Sequence, residues 1–172
     1  CLWSPRALRA ALGTPASCAL LAFNSLSALA AAELTIRHDP PACLLAEAFP
    51  RLEARVEPTG RGAQVRVAFR PEAASLWHAV VARADGDRFT MLLPRPRLAA
   101  RRVHYRFDAT GSDAAAASSP EYTAEVVADG AACAGRVANS DPSARVLVEV
   151  PPGAPMVPPV PKGFDPVGAV AA

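Results

Sequence analysis

The sequence predicts an all-β protein, an antiparallel β-sandwich of about seven strands. Three observations lead there. Residues 64–70 read QVRVAFR, so Val65, Val67 and Phe69 fall on one side of an extended chain and Gln64, Arg66 and Arg70 on the other. That period-2 alternation marks a strand with one buried and one wet face. The same period recurs in residues 52–57, 77–83, 88–93, 102–108 and 122–127. Between the runs stand clusters of Pro, Gly, Asp and Ser, the residues that turn a chain.

Taken in order, residues 1–32 read as a secretory signal peptide. Arg6 and Arg9 give a basic start, an apolar run follows at 19–32, and small residues around Ala30 and Ala32 offer a cleavage site. The apolar run is well short of the ~20 residues needed to span a bilayer as a helix. An ordinary buried helix is the alternative. Residues 33–50 form a lead-in: Leu34, Thr35 and Ile36 supply a short first strand, and Asp39-Pro40-Pro41 forces an extended or turning backbone. Residues 44–49 read as a brief helical turn or an irregular crossing, with Phe49 anchoring it to the core.

The first strong strand, 52–57, alternates Leu52, Ala54 and Val56 with charged residues. A Pro- and Gly-bearing turn at 58–62 leads into 64–70. The strand at 77–83 is expected to send Trp77, Ala79 and Val81 into the core. Asp85-Gly86-Asp87 then makes a hairpin to 88–93. The prolines of 94–101 keep that stretch out of a central strand. In 102–108, Val103, Tyr105 and Phe107 face one way and His104 and Arg106 the other. A loop of small and polar residues at 110–120 precedes the strand at 122–127. The predicted sandwich spans 33–133, and an extension follows at 134–172. In the extension, 144–150 (ARVLVEV) could add one strand, swapped onto the sheet or recruiting a partner. The Pro-rich stretch 151–161 reads as an extended spacer with no core of its own.

Composition narrows the partners. Lys162 is the sole lysine, and the abundance of Arg, Ala and Pro is associated with GC-rich bacterial genomes. The formal net charge of +2 comes from Arg6 and Arg9, so the chain from Glu33 onward is neutral. A neutral chain lacks the long-range field that draws nucleic acid or an anionic membrane, and aromatic residues make up only 6% of it, too few for a base-stacking platform. Export places the chain in an oxidising compartment, secreted or at the cell envelope. Cys18 would leave with the signal peptide. Cys43 and Cys133 remain, bracketing the β region, and are expected to pair. Two free thiols or a metal site are the alternatives, the latter disfavoured by the lack of CxxC spacing.

The order QVRVAFRP, LWHAVVARADGD, RFTMLLP, RVHYRFDATG and SPEYTAEVV resembles the immunoglobulin-like or fibronectin type III-like sandwich modules of exported bacterial proteins of unknown function. The resemblance covers roughly residues 40–133, and Tyr105 sits where such folds place an aromatic residue in their penultimate strand. It implies a fold, and fold alone does not decide function. The antibody pattern is not matched, since no Cys…Trp…Cys spacing lies inside the core, and an antigen-receptor role is not implied. A fainter resemblance to the sandwiches attached to glycoside-acting enzymes keeps carbohydrate binding in view.

No set of residues amounts to a catalytic site or a cofactor motif. There is no G-x-S-x-G, and Gly111-Ser112-Asp113 reads as turn chemistry. His78 and His104 lie on separate strands and could meet on one sheet face, but no third metal ligand stands in register and both are expected to be exposed strand histidines. Asp85 and Asp87 fall short of the oxygens calcium needs. Candidate ligand contacts are Trp77, as a stacking surface if it faces outward, and Arg95 and Arg97, in a basic cluster with Arg101 and Arg102. The functional expectation is a secreted, non-enzymatic binding or structural module of the bacterial cell envelope, whose partner is an envelope protein or polysaccharide. The alternative is a carbohydrate-binding module.

Overall fold

The computed structural model describes residues 33–59, 62–153 and 159–172, all within the unit Ala31–Ala172. The expected signal peptide at 1–32, the tip of the turn at 60–61 and the middle of the Pro-rich stretch at 154–158 lie outside the described residues. The strands are β1 (Thr35–Arg37), β2 (Cys43–Leu45), β3 (Phe49–Glu57), β4 (Gln64–Pro71), β5 (His78–Val81), β6 (Arg83–Asp85), β7 (Arg88–Leu92), β8 (Arg102–Thr110), β9 (Ala116–Ser118), β10 (Tyr122–Val127), β11 (Ser140–Asp141), β12 (Val146–Glu149) and β13 (Ala169–Ala171).

Two sheets share one apolar core. The smaller runs β1-β3-β7-β6, with β11 also on β3; the larger runs β13-β12-β5-β4-β8-β10-β2, with β9 also on β8. Matched in chain order, β1-β3-β7-β6 and β5-β4-β8-β10 follow the A-B-E-D and C′-C-F-G strand order of immunoglobulin-type sandwiches. The alternation read from the sequence sets the inner faces of the central strands. Val65, Val67 and Phe69 of β4 are buried with Val103, Tyr105 and Phe107 of β8, and Leu52, Ala54 and Val56 of β3 meet them from the other sheet. Removing each large apolar side chain from water contributes about 1.5–3 kcal/mol, so these three strands carry much of the fold's driving force. Gly86, at φ 64°, makes the tight β6–β7 hairpin in which Asp85 faces Arg88.

Several expectations are corrected. Thirteen strands stand where about seven were expected among the described residues. The sheets are not wholly antiparallel: β2 runs parallel to β10, and β13 parallel to β12. The supposed crossing at 44–49 begins as β2, and the loop at 110–120 contains β9. The single strand expected at 77–83 is two. β5 pairs with β4 in the larger sheet and β6 with β7 in the smaller, so the chain changes sheets at Ala82, whose N–H donates to the Val65 carbonyl.

The C-terminal stretch differs most. β12 pairs with β5, and Val160 and Pro161 at the end of the Pro-rich stretch are buried together with Phe164 just past it. The Phe164 ring meets the Phe69 ring edge-on at 5.1 Å. Residues 159–166 therefore act as a strap across one end of the sandwich. Gly163 explains how the strap comes so close: at φ 108°, a Cβ there would sit 3.3 Å from the Ala100 Cβ and 3.5 Å from that of Pro71. Hydrogen bonds pin the strap on both sides of Phe164, from Arg97 N–H to the Gly163 carbonyl and from Asp165 N–H to the Arg95 carbonyl.

Cys43 and Cys133 form a disulfide, with Cα atoms 6.0 Å apart. It fastens β2 to a 3-10 turn at Gly130–Ala132, beside backbone bonds from Ala138 N–H to the Cys43 carbonyl and from Ala42 N–H to the Arg136 carbonyl.

Candidate functional site

The outer face of the larger sheet holds a cluster of charged side chains around one indole. Its position follows from strand register. His78 pairs with Phe69 and so turns inward, which sends Trp77 outward beside Arg70. Ala68 pairs with Ala79 on one side and Arg106 on the other. These two small residues leave a shallow notch, across which Arg106 reaches the indole. The guanidinium carbons of Arg70 and Arg106 lie 4.8 and 5.0 Å from the Trp77 ring centroid, within reach of a cation–π attraction. Glu121 fixes this arrangement from β10's side. Its Oε1 accepts from Arg70 at 3.2 Å and lies 2.8 Å from His104 Nδ1. Arg106 Nε is buried without a hydrogen-bond partner, its Asp108 carboxylate neighbour being 3.5 Å away.

The same face continues toward β12 and β13 as an apolar row. Val81, Leu147 and Val170 are 60%, 63% and 49% exposed. Leu147 pairs with Val170, and Val81 follows Val80, whose partner is Val148. Exposed branched side chains side by side on a sheet are unusual on a surface that meets only water.

The expectation that Trp77, Ala79 and Val81 enter the core is thus inverted: the alternation is right and the facing is opposite. Nor do His78 and His104 share a face. His104 is on the outer face, whereas His78 is buried against Phe69, ring centroids 6.0 Å apart. Burial holds the His78 imidazole below its ordinary pKa, opposed by the Leu76 backbone. Arg95 is already engaged. It donates to the Glu47 carbonyl at 2.9 Å and to the Glu47 carboxylate at 3.0 Å, over the Phe49 ring. Arg97 lies 3.6 Å from the Asp165 carboxylate and remains half-exposed.

A second polar group, missed in the sequence, is structural. His38, just past β1, packs against the rings of Tyr105, Phe107 and Tyr122. Its Nδ1 lies 2.6 Å from the Glu53 carbonyl and its Nε2 3.0 Å from the Tyr105 hydroxyl. A carbonyl only accepts, so Nδ1 carries the proton and Nε2 accepts from Tyr105. Burial is the main cause that lowers the His38 pKa and raises that of Tyr105. The lone signal in the sequence was a His between a short strand and a Pro pair.

Among the described residues, no group of three or more His, Cys, Asp or Glu is placed to hold a metal ion, and no helix is long and apolar enough to cross a membrane. No protein-family description and no curated protein matches the chain. One similar solved structure is the murine protein CRIg, at 11% identity and a TM-score of 0.34 over 63% of this chain and all of that one.

Proposed function

We propose that the protein is an exported, non-enzymatic binding or structural module of a bacterial cell envelope, related to the immunoglobulin-like and fibronectin type III-like sandwiches. Its contact surface is the outer face of the larger sheet. The observation that carries this reading is the continuity on that face of an exposed apolar row, Val81, Leu147 and Val170, with the Trp77–Arg70–Arg106 cluster. An apolar strip beside Arg and Trp has the composition of a protein-contact surface, where these two residues dominate binding energy. The disulfide favours an oxidising compartment.

The alternative, a carbohydrate-binding module, draws support from the outward Trp77. Two guanidiniums lie against its ring, so a neutral sugar would have to displace them. An acidic polysaccharide would instead use them. The test is a pull-down from the native envelope fraction beside an array of neutral and acidic polysaccharides. Each uses wild type, Leu147→Asp and Trp77→Ala. A protein partner lost with Leu147→Asp supports the first reading. Acidic-glycan binding lost with Trp77→Ala supports the second. Failure of both surfaces to retain anything overturns the assignment of this face.

A further inference from the structure

A groove of about 670 Å³ lies between the β4–β5 connection and the C-terminal strap. Its volume falls in the range of small-molecule sites, about 300–1,000 Å³. One wall is Ala73, Ala74, Ser75 and Leu76, and the other is Val160, Pro161 and Phe164. None of these residues belongs to the Trp77 cluster or the apolar row, although the Ala74 carbonyl accepts from Arg70 of that cluster at 2.9 Å.

Three features give it the makings of a ligand site. Its walls are mainly apolar and held in place, since the strap is pinned through Gly163 and Asp165. The rim carries two cations, Arg97 and Lys162. Asp165 offsets part of the Arg97 charge, but Lys162 has no ion-pair or hydrogen-bond partner among the described residues, so positive charge remains. The third feature is His78, which lines the groove at 7% exposure; its Nδ1 makes no well-aligned hydrogen bond, the ring's polar contact being with the Leu76 backbone. A buried polar atom left poorly paired costs up to about 1–3 kcal/mol.

We propose that this groove binds a small amphipathic carboxylate, with its apolar body against Leu76, Val160 and Phe164 and its carboxylate between Lys162 and Arg97. The His78 imidazole, at the inner end, is the hydrogen-bonding group that such a ligand's arrival would reorient. Charge selects the sign of the ligand and the groove's shape limits its size. No bond is made or broken.

The test uses the full chain with three probes of one chain length at sub-millimolar concentration: decanoate, decanol and decyltrimethylammonium. Binding is read by calorimetry and by the NMR signals of the His78 ring and the Gly163 amide. Decanoate should bind at one site and shift both signals, with decanol about tenfold weaker, the equivalent of ~1.4 kcal/mol, and the cation not binding. Lys162→Ala should weaken decanoate severalfold while leaving decanol unchanged. Leu76→Trp, at an exposed position that tolerates substitution, should fill the groove and abolish both. Equal binding of all three probes, no binding of any, or decanoate binding that leaves His78 and Gly163 unmoved would overturn the proposal.

Discussion

Replacing Cys43 and Cys133 together by alanine should cost about 4–5 kcal/mol of stability. The bridged residues are 90 apart in sequence, and closing a loop of that length in the unfolded chain costs about 4.6 kcal/mol at 25 °C on the chain-entropy model. The folded state gives little of this back. The backbone bonds from Ala138 to Cys43 and from Ala42 to Arg136 remain available without the sulfurs, so the effect lies almost wholly in the freedom restored to the unfolded chain. That location of the effect has a second signature. An uncrosslinked unfolded chain exposes more surface, so the urea m-value should rise as the midpoint falls. The assay is urea unfolding followed by far-ultraviolet circular dichroism on oxidised wild type, reduced wild type and the double variant. The last two should coincide. A loss below about 1 kcal/mol, or one with an unchanged m-value, would refute the claim that the clasp acts through the unfolded chain.

Three further outcomes follow from the core and the strap. Tyr105→Phe removes the donor to His38 Nε2 and should destabilise by about 1–3 kcal/mol, measured by the same titration. His38 and His78 both have folded pKa values below the ordinary 6.5, so the unfolded chain takes up protons first as the pH falls. Their contribution is complete above about 6.5 and is lost as the pH drops from there through the folded values. Urea midpoints measured down a pH series should show this decline, and it should shrink in His38→Gln. Phe164→Ala should cost about 3–5 kcal/mol in the same measurement, whereas a spacer would lose nothing.

The strand interiors were legible because burial on one face writes itself as alternation. In β3, β4 and β8 the inner set is uniformly apolar and the outer set mostly charged or polar, so both the strand and its facing could be read. Residues 77–81 alternate just as regularly, but neither set is decisively polar: Trp77, Ala79 and Val81 compete with His78 and Val80. Pairing with Phe69 decides it, and pairing is not local. The change of sheet at Ala82 leaves no Gly or Pro to mark it. In the tail, prolines drew the reading toward a spacer, although Gly163-Phe164 interrupts the pattern with a residue that permits close approach and another that benefits from it. The disulfide was readable because cysteine is scarce. The outer-face cluster was not, since Arg70, Trp77, Arg106 and Glu121 come from four segments and meet only through register.

The strap also imposes a schedule on the chain. Phe69 is synthesised long before Phe164, its edge-on neighbour, and β5 waits for β12 in the same way. Pairings between distant segments form slowly. Until residues 159–166 emerge, Phe69 and Ala100 lack the cover that Phe164 and Gly163 give them. A nascent chain therefore stays open at this end of the sandwich until residues 159–166 have been made, and for that interval its uncovered core favours association with whatever apolar surface is near.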